Sequence, residues 1–145
     1  MLNRINDVAL LVGRLLFAAL FLPAGISKAI GFAAFSTSLA GKGLAYADAW
    51  AVAAIAIEVL APIALILGVA PRSTALLLIA FVIMATATSH RYWEFTDAAA
   101  RRTQEVNFYK NGAILGGLLF YFASGAGGSS IAGWRLGRTA EPQAA

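Results

Sequence analysis

Asn107-Phe108-Tyr109-Lys110-Asn111-Gly112-Ala113-Ile114-Leu115-Gly116-Gly117-Leu118-Leu119 opens with polar groups and runs straight into an apolar segment. On a helix, Asn107, Lys110 and Asn111 stand at i, i+3 and i+4 and share one face. The Gly116-Gly117 pair removes side-chain bulk and lets a neighbouring helix come close. No charged residue follows between Asn111 and Trp134. A polar face at the head of a membrane-length helix is costly unless other segments supply partners for it.

Three more apolar runs precede this one. The four cover about residues 8–30, 49–69, 73–89 and 107–123, each near the ~20 residues that cross a bilayer as a helix. Across the 145 residues, 60% are hydrophobic and 12% charged, and the mean hydropathy is +0.76. These values predict an all-α, integral membrane four-helix bundle in one domain, with a polar tail over 124–145. The chain has no cysteine, so its own side chains carry no thiol chemistry. A single histidine gives no basis for a metal centre. The net charge of +4 does not point to nucleic acid, because the basic residues are scattered and several sit inside apolar runs. Membrane lipids with anionic headgroups are the simpler partners.

In the first run, Arg14, Ala18, Phe21, Gly25 and Lys28 follow spacings of four, three, four and three, which is one helical stripe. Charges avoid lipid, so this stripe faces the bundle. Arg14 interrupts the apolar run and Lys28 stands where a signal peptide would carry a small-residue cleavage site, which favours a spanning helix. Pro23 leaves the Ala19 carbonyl without its usual donor, and a modest kink is expected there. Gly31 ends the helix. Phe32-Ala33-Ala34-Phe35 then suits the membrane surface, and Gly41-Lys42-Gly43 reads as a flexible turn. The second run holds Glu58, with Pro62 four residues on, so the Glu58 carbonyl also loses its helical donor. The segment 96–106 reads as an interfacial helix or ordered loop, and the glycines and serines of 125–130 as a flexible exit.

Helices joined by short loops alternate in direction. Lys28, Trp50, His90, Glu94, Asn107, Lys110 and Asn111 then share one side, with Glu58 ~15 Å deeper from the helical rise. Arg14 approaches Glu58 from the opposite side. Two readings of Arg14 and Glu58 stand: a buried ion pair that fixes helix register, or a proton-linked or ligand-binding pair. Lys28 and Lys110 either snorkel to the interface or form an anion or headgroup pocket with Asn107 and Asn111. In the second case Lys28, Asn107, Lys110 and Asn111 converge in one cavity, with His90 and Glu94 at its rim. Glu94 or Glu105 would supply a counter-charge there internally, or a quinone carbonyl or lipid phosphate would supply it externally. His90 is read as an interfacial cap before a proton relay, and Tyr92 and Trp93 as interfacial belt aromatics.

Taken together, these pieces resemble the DoxX family of small four-helix bacterial membrane proteins. The matching residues are Arg14 with Phe21-Leu22-Pro23-Ala24-Gly25-Ile26-Ser27-Lys28, then Glu58, His90-Arg91-Tyr92-Trp93-Glu94, and Asn107-Phe108-Tyr109-Lys110-Asn111 with Gly116-Gly117. The resemblance runs from about residue 8 to residue 130. It implies an inner-membrane bundle with both termini cytoplasmic. It also implies a link to thiosulfate:quinone oxidoreduction or to oxidative-stress complexes. Similar folds exchange thiols through Cys-x-x-Cys, and this chain departs from them by having no cysteine. A redox role would therefore need a quinone or a partner subunit. The charge count does not set the orientation: Arg4, Arg14, Arg72, Arg135 and Arg138 oppose Lys28, Lys42, Arg91, Arg101, Arg102 and Lys110, a near tie.

Three functions follow as expectations. The first is a small or accessory subunit of a quinone-linked or oxidative-stress redox assembly. The second is a carrier or permeation protein with Arg14 and Glu58 midway along a polar path. The third is a structural membrane partner, to other subunits or in a homo-oligomer.

Overall fold

The computed structural model describes residues 2–134, with side chains from residue 4 onward. The tail that carries Arg135 and Arg138 lies outside the described residues. Five α-helices follow one another: α1 (Leu2–Ile30), α2 (Phe32–Gly41), α3 (Ala47–Leu67), α4 (Pro71–Ser89) and α5 (Ala98–Ser124). A short 3₁₀ turn, Tyr92–Glu94, precedes α5. The architecture is an all-α membrane bundle. Three of these helices, α1, α3 and α4, are long and apolar enough to cross a bilayer. The expected fourth span differs. Residues 107–123 are the later part of one 27-residue helix whose first turns are polar. Asp97 starts that helix by accepting a hydrogen bond from Ala100 N at 2.7 Å, so 96–106 is mostly the beginning of α5 and not a separate interfacial element.

α1 packs chiefly on α3, and α4 on α5, with α3 and α4 joining the two pairs. The α1 stripe is where its spacing puts it: Arg14, Ala18 and Phe21 are buried. Phe21 joins Ala61, Leu65, Leu78, Val82, Leu118 and Tyr121 in the core. The exterior is apolar as well, with Leu16 67% exposed, Leu60 64% and Phe120 79%. A water-facing surface built this way would aggregate, whereas a lipid-facing one is at rest.

α3 ends on Gly68, whose backbone is left-handed (φ 66°). Val69 N bonds Ala64 O at 2.9 Å and Gly68 N bonds Leu65 O at 3.1 Å, the Schellman arrangement that ties off a helix C-terminus. Pro71 then opens α4 at a position where no helical donor is needed. Beyond α5, residues 125–134 fold back across this end of the bundle. Gly128 N donates to Asp7 Oδ1 at 2.6 Å, and Ala132 N to Gly68 O at 3.3 Å. The expected flexible exit is thus a fastened one.

Candidate functional site

Arg14 does not meet Glu58. Its guanidinium donates from Nη1 to Ile66 O at 3.0 Å and from Nη2 to Ser129 O at 2.6 Å. Ile66 lies in the last turn of α3, where carbonyls lack intrahelical donors and the helix dipole is negative. The buried cation is therefore held by backbone acceptors. The residues of the expected pair serve opposite ends of the bundle.

Glu58 instead binds Lys28. Lys28 Nζ lies 2.5 Å from Oε1 and 2.6 Å from Oε2. The carboxylate is 6% exposed and the lysine side chain 31%, so one end of the pair is dry and the other is open. Gly25 makes this contact possible. A Cβ at Gly25 would stand 2.9 Å from Glu58 Cβ and 3.0 Å from Val59 Cγ2, a distance that only a bare backbone allows. The close approach of α1 and α3 brings the Lys28 side chain, one turn further on, onto Glu58. Gly117 plays a similar part for α5, where an added Cβ would meet the Phe17 ring at 2.8 Å. Its neighbour Gly116 has nothing within 4 Å of that position, so only one residue of the glycine pair serves a close approach.

Above the Lys28–Glu58 pair opens a cavity of about 420 Å³, in the range of roughly 300–1,000 Å³ typical of small-molecule sites. Its walls are largely apolar, with Phe21, Ile57, Phe81 and Ile114 among them. Its polar groups are Lys28, Glu58, Lys42, Ser38, Thr88, Ser89, His90, Lys110 and Asn111. Of the six residues expected here, Lys28, His90, Lys110 and Asn111 line the cavity, while Asn107 and Glu94 do not. Asn107 accepts from Lys110 Nζ at 2.9 Å. Glu94 turns away to Arg91 at 3.1 Å, and Glu105 to Arg102 at 3.0 Å. The internal counter-charge is Glu58.

Two of the expected lining residues have structural partners. Asn111 is buried and donates from Nδ2 to Thr86 Oγ1 at 2.8 Å, which pins α5 to α4. His90 Nδ1 is 2.7 Å from Gln104 Oε1 and fastens the end of α4 to the first turns of α5. The rings of Tyr92, Trp93 and Phe108 pack edge to face nearby, with centroids 5.2–6.0 Å apart.

Lys42 is a cationic lining residue that the sequence reading missed, as it missed Ser38, Thr88 and Ser89. It sits at the C-terminus of α2, where Gly41-Lys42-Gly43 looked like a turn alone. Its Nζ donates to Ser89 Oγ at 2.8 Å, which joins the α2 end to the α4 end. Burial, then the neighbouring Lys28 and Arg91 charges, hold its ammonium below the ordinary lysine range. α2 is further fastened by Ser36, which donates to Asp48, and by Phe35, whose ring lies 5.3 Å from Lys28 Nζ. The usable signal was a lysine placed just after a short apolar helix.

Comparison with known proteins agrees with this architecture. The DoxX family matches residues 9–91, more than half of the chain. The inner membrane protein YphA of Escherichia coli (strain K12) is 31% identical over 126 residues, covering 87% of this chain and 89% of the relative. No solved structure matches. With the family match reaching from the α1 stripe to the end of α4, and a relative aligned over nearly its whole length, the chain belongs to the DoxX family of membrane proteins.

Proposed function

We propose that this protein is a small, accessory subunit of a quinone-linked or oxidative-stress redox assembly in the inner membrane, and that it holds an amphipathic ligand in the loop-side cavity. The inner-membrane placement rests on the relative and on the apolar helices. One observation carries the ligand reading: an apolar cavity with more cationic groups than its single carboxylate can neutralise. A quinone fits the lining in kind, because Lys42, Lys110 and Ser89 offer donors for carbonyl oxygens above an apolar floor. When bound, a quinone would supply the electron and proton capacity that these side chains lack. The chain's own residues would orient the head and exclude water from the tail. The carrier reading needed a midplane Arg14–Glu58 pair, and the two residues have separate partners.

The test is to purify the protein in native lipid and identify what co-purifies by mass spectrometry, for wild type and Lys110→Met. The expected result is a stoichiometric amphiphile that is depleted in the variant, with the thermal midpoint unchanged. A stable complex with other subunits and no small molecule in either form would favour a purely structural partner.

A further inference from the structure

We infer that the occupant of this cavity carries an oxyanion head on an acyl chain, and that Lys42 and Lys110 bind the head. This inference rests on the ligand-binding reading above. The lining holds three ammonium groups and one carboxylate. Glu58 spends both oxygens on Lys28, so Lys28 is already neutralised. Lys42 and Lys110 have a hydroxyl and an amide oxygen as partners, and neither is in an ion pair among the described residues. Two cations in the lining of an apolar chamber, each with a neutral partner, are matched by a carboxylate or phosphate, because an ionised acceptor adds a Coulomb attraction that a hydroxyl or amide oxygen lacks. A carbonyl head accepts from the same donors but brings no charge to offset the excess. Burial, then the Lys28 and Arg91 charges, disfavour the Lys42 ammonium, and an anion beside it would offset both effects.

The walls fix the rest of the ligand. The apolar part of the lining includes Leu20, Phe21, Ile57, Phe81 and Ile114, a surface suited to a flexible hydrocarbon. Leu20 and Met84 line the cavity and yet are 42% and 47% exposed. They belong to membrane-length helices, so the chamber communicates sideways with the surrounding lipid. An amphiphile dissolved in the bilayer can slide in tail and head together, which suits an acyl anion better than a water-soluble one.

The experiment uses delipidated full-length protein in a neutral detergent. Binding of oleate, dioleoylphosphatidylglycerol, dioleoylphosphatidylcholine and a short-chain benzoquinone is measured by native mass spectrometry and thermal shift. The variants are Lys42→Met, Lys110→Met and the pair together, with Arg72→Gln at the opposite end as control. We expect oleate or phosphatidylglycerol to bind more tightly than phosphatidylcholine. Each lysine variant should weaken that binding about tenfold, from the loss of one bond to a charged group, while Arg72→Gln leaves it unchanged. Oleate alone binding identifies a free acid; phosphatidylglycerol alone identifies a headgroup; both outcomes support the inference. If the paired variant does not fold, the single variants and a salt series on wild type decide, since salt must weaken the anion and spare the quinone. Quinone binding that ignores both lysines, with anions no better than phosphatidylcholine, overturns the oxyanion assignment and leaves the ligand-binding reading standing. Anion binding that is unchanged in the lysine variants also overturns the assignment. No binding of any probe overturns both.

Discussion

The two ends of the bundle each hold a cation from the same stripe of α1, Arg14 buried and Lys28 partly exposed, and they neutralise it in different ways. Arg14 is 1% exposed and is held by backbone carbonyls from the last turn of α3 and from the loop after α5. That end is covered by residues 125–134, fastened through Asp7 and Gly68. Lys28 is held by a carboxylate and lines an open cavity together with Lys42 and Lys110. Carbonyl acceptors carry only partial charge and are fixed in space, so they suit a permanent brace for a planar guanidinium with several donors. A carboxylate carries full charge and can exchange partners. The difference makes the Arg14 end a fixed brace, and the Lys28 end is where the proposed ligand would bind.

The comparison breaks most severely at Arg14. Arg14→Met removes two charge-assisted bonds and leaves the Ile66 and Ser129 carbonyls without them, a cost of about 3–5 kcal/mol. We expect a large fall in the thermal midpoint in detergent, together with faster proteolysis of the segment 125–134. A stable Arg14→Met protein with that segment still protected would remove the brace from the account.

Glu58→Gln comes next. It strands Lys28 next to a neutral amide, and breaking a buried pair costs about 3–5 kcal/mol. The lower part of that range is expected, because the Lys28 side chain is 31% exposed and water reaches it. Adding Lys28→Met to Glu58→Gln should recover most of the lost midpoint, since no uncompensated charge then remains. Failure of the double variant to recover would show that Glu58 has another essential partner.

The smallest effect sharpens the comparison at its pivot. Gly25→Ala puts a methyl group against Glu58 Cβ and Val59 Cγ2, and overpacking of this kind costs about 1–3 kcal/mol. The shift should loosen the Lys28–Glu58 end first. Hydrogen exchange ought therefore to rise around α2 and the start of α3 while the Arg14 end stays protected. A uniform rise would mean that the two ends are not independent.

Much of this was legible in the residues. The period of Arg14, Ala18, Phe21, Gly25 and Lys28 is a local property, and helix geometry converts it directly into a buried face. Lys28, His90, Lys110 and Asn111 were placed on one side by the alternation of spans, and they do line one cavity. Asn107 and Glu94 were placed on the correct side as well, but each is taken up by a neighbour three residues away in the chain. Asn107 takes Lys110, and Glu94 takes Arg91.

That the chain is a membrane bundle, which stripe of α1 is buried, and which end gathers the polar groups can all be read from the residues. Composition and periodicity carry those facts without reference to any distant residue. The tertiary structure alone decided who neutralises whom. Arg14 and Lys28 share a stripe and stand ~21 Å apart along it at 1.5 Å per residue, so Glu58 can reach one of them and not both. The choice depends on how far α3 is slid along α1, and that offset is set by a contact between Gly25 and Glu58. Lys42 entered the cavity for a related reason: the path of α2 over the bundle is fixed by packing and by its bond to Ser89, 47 residues away in the chain.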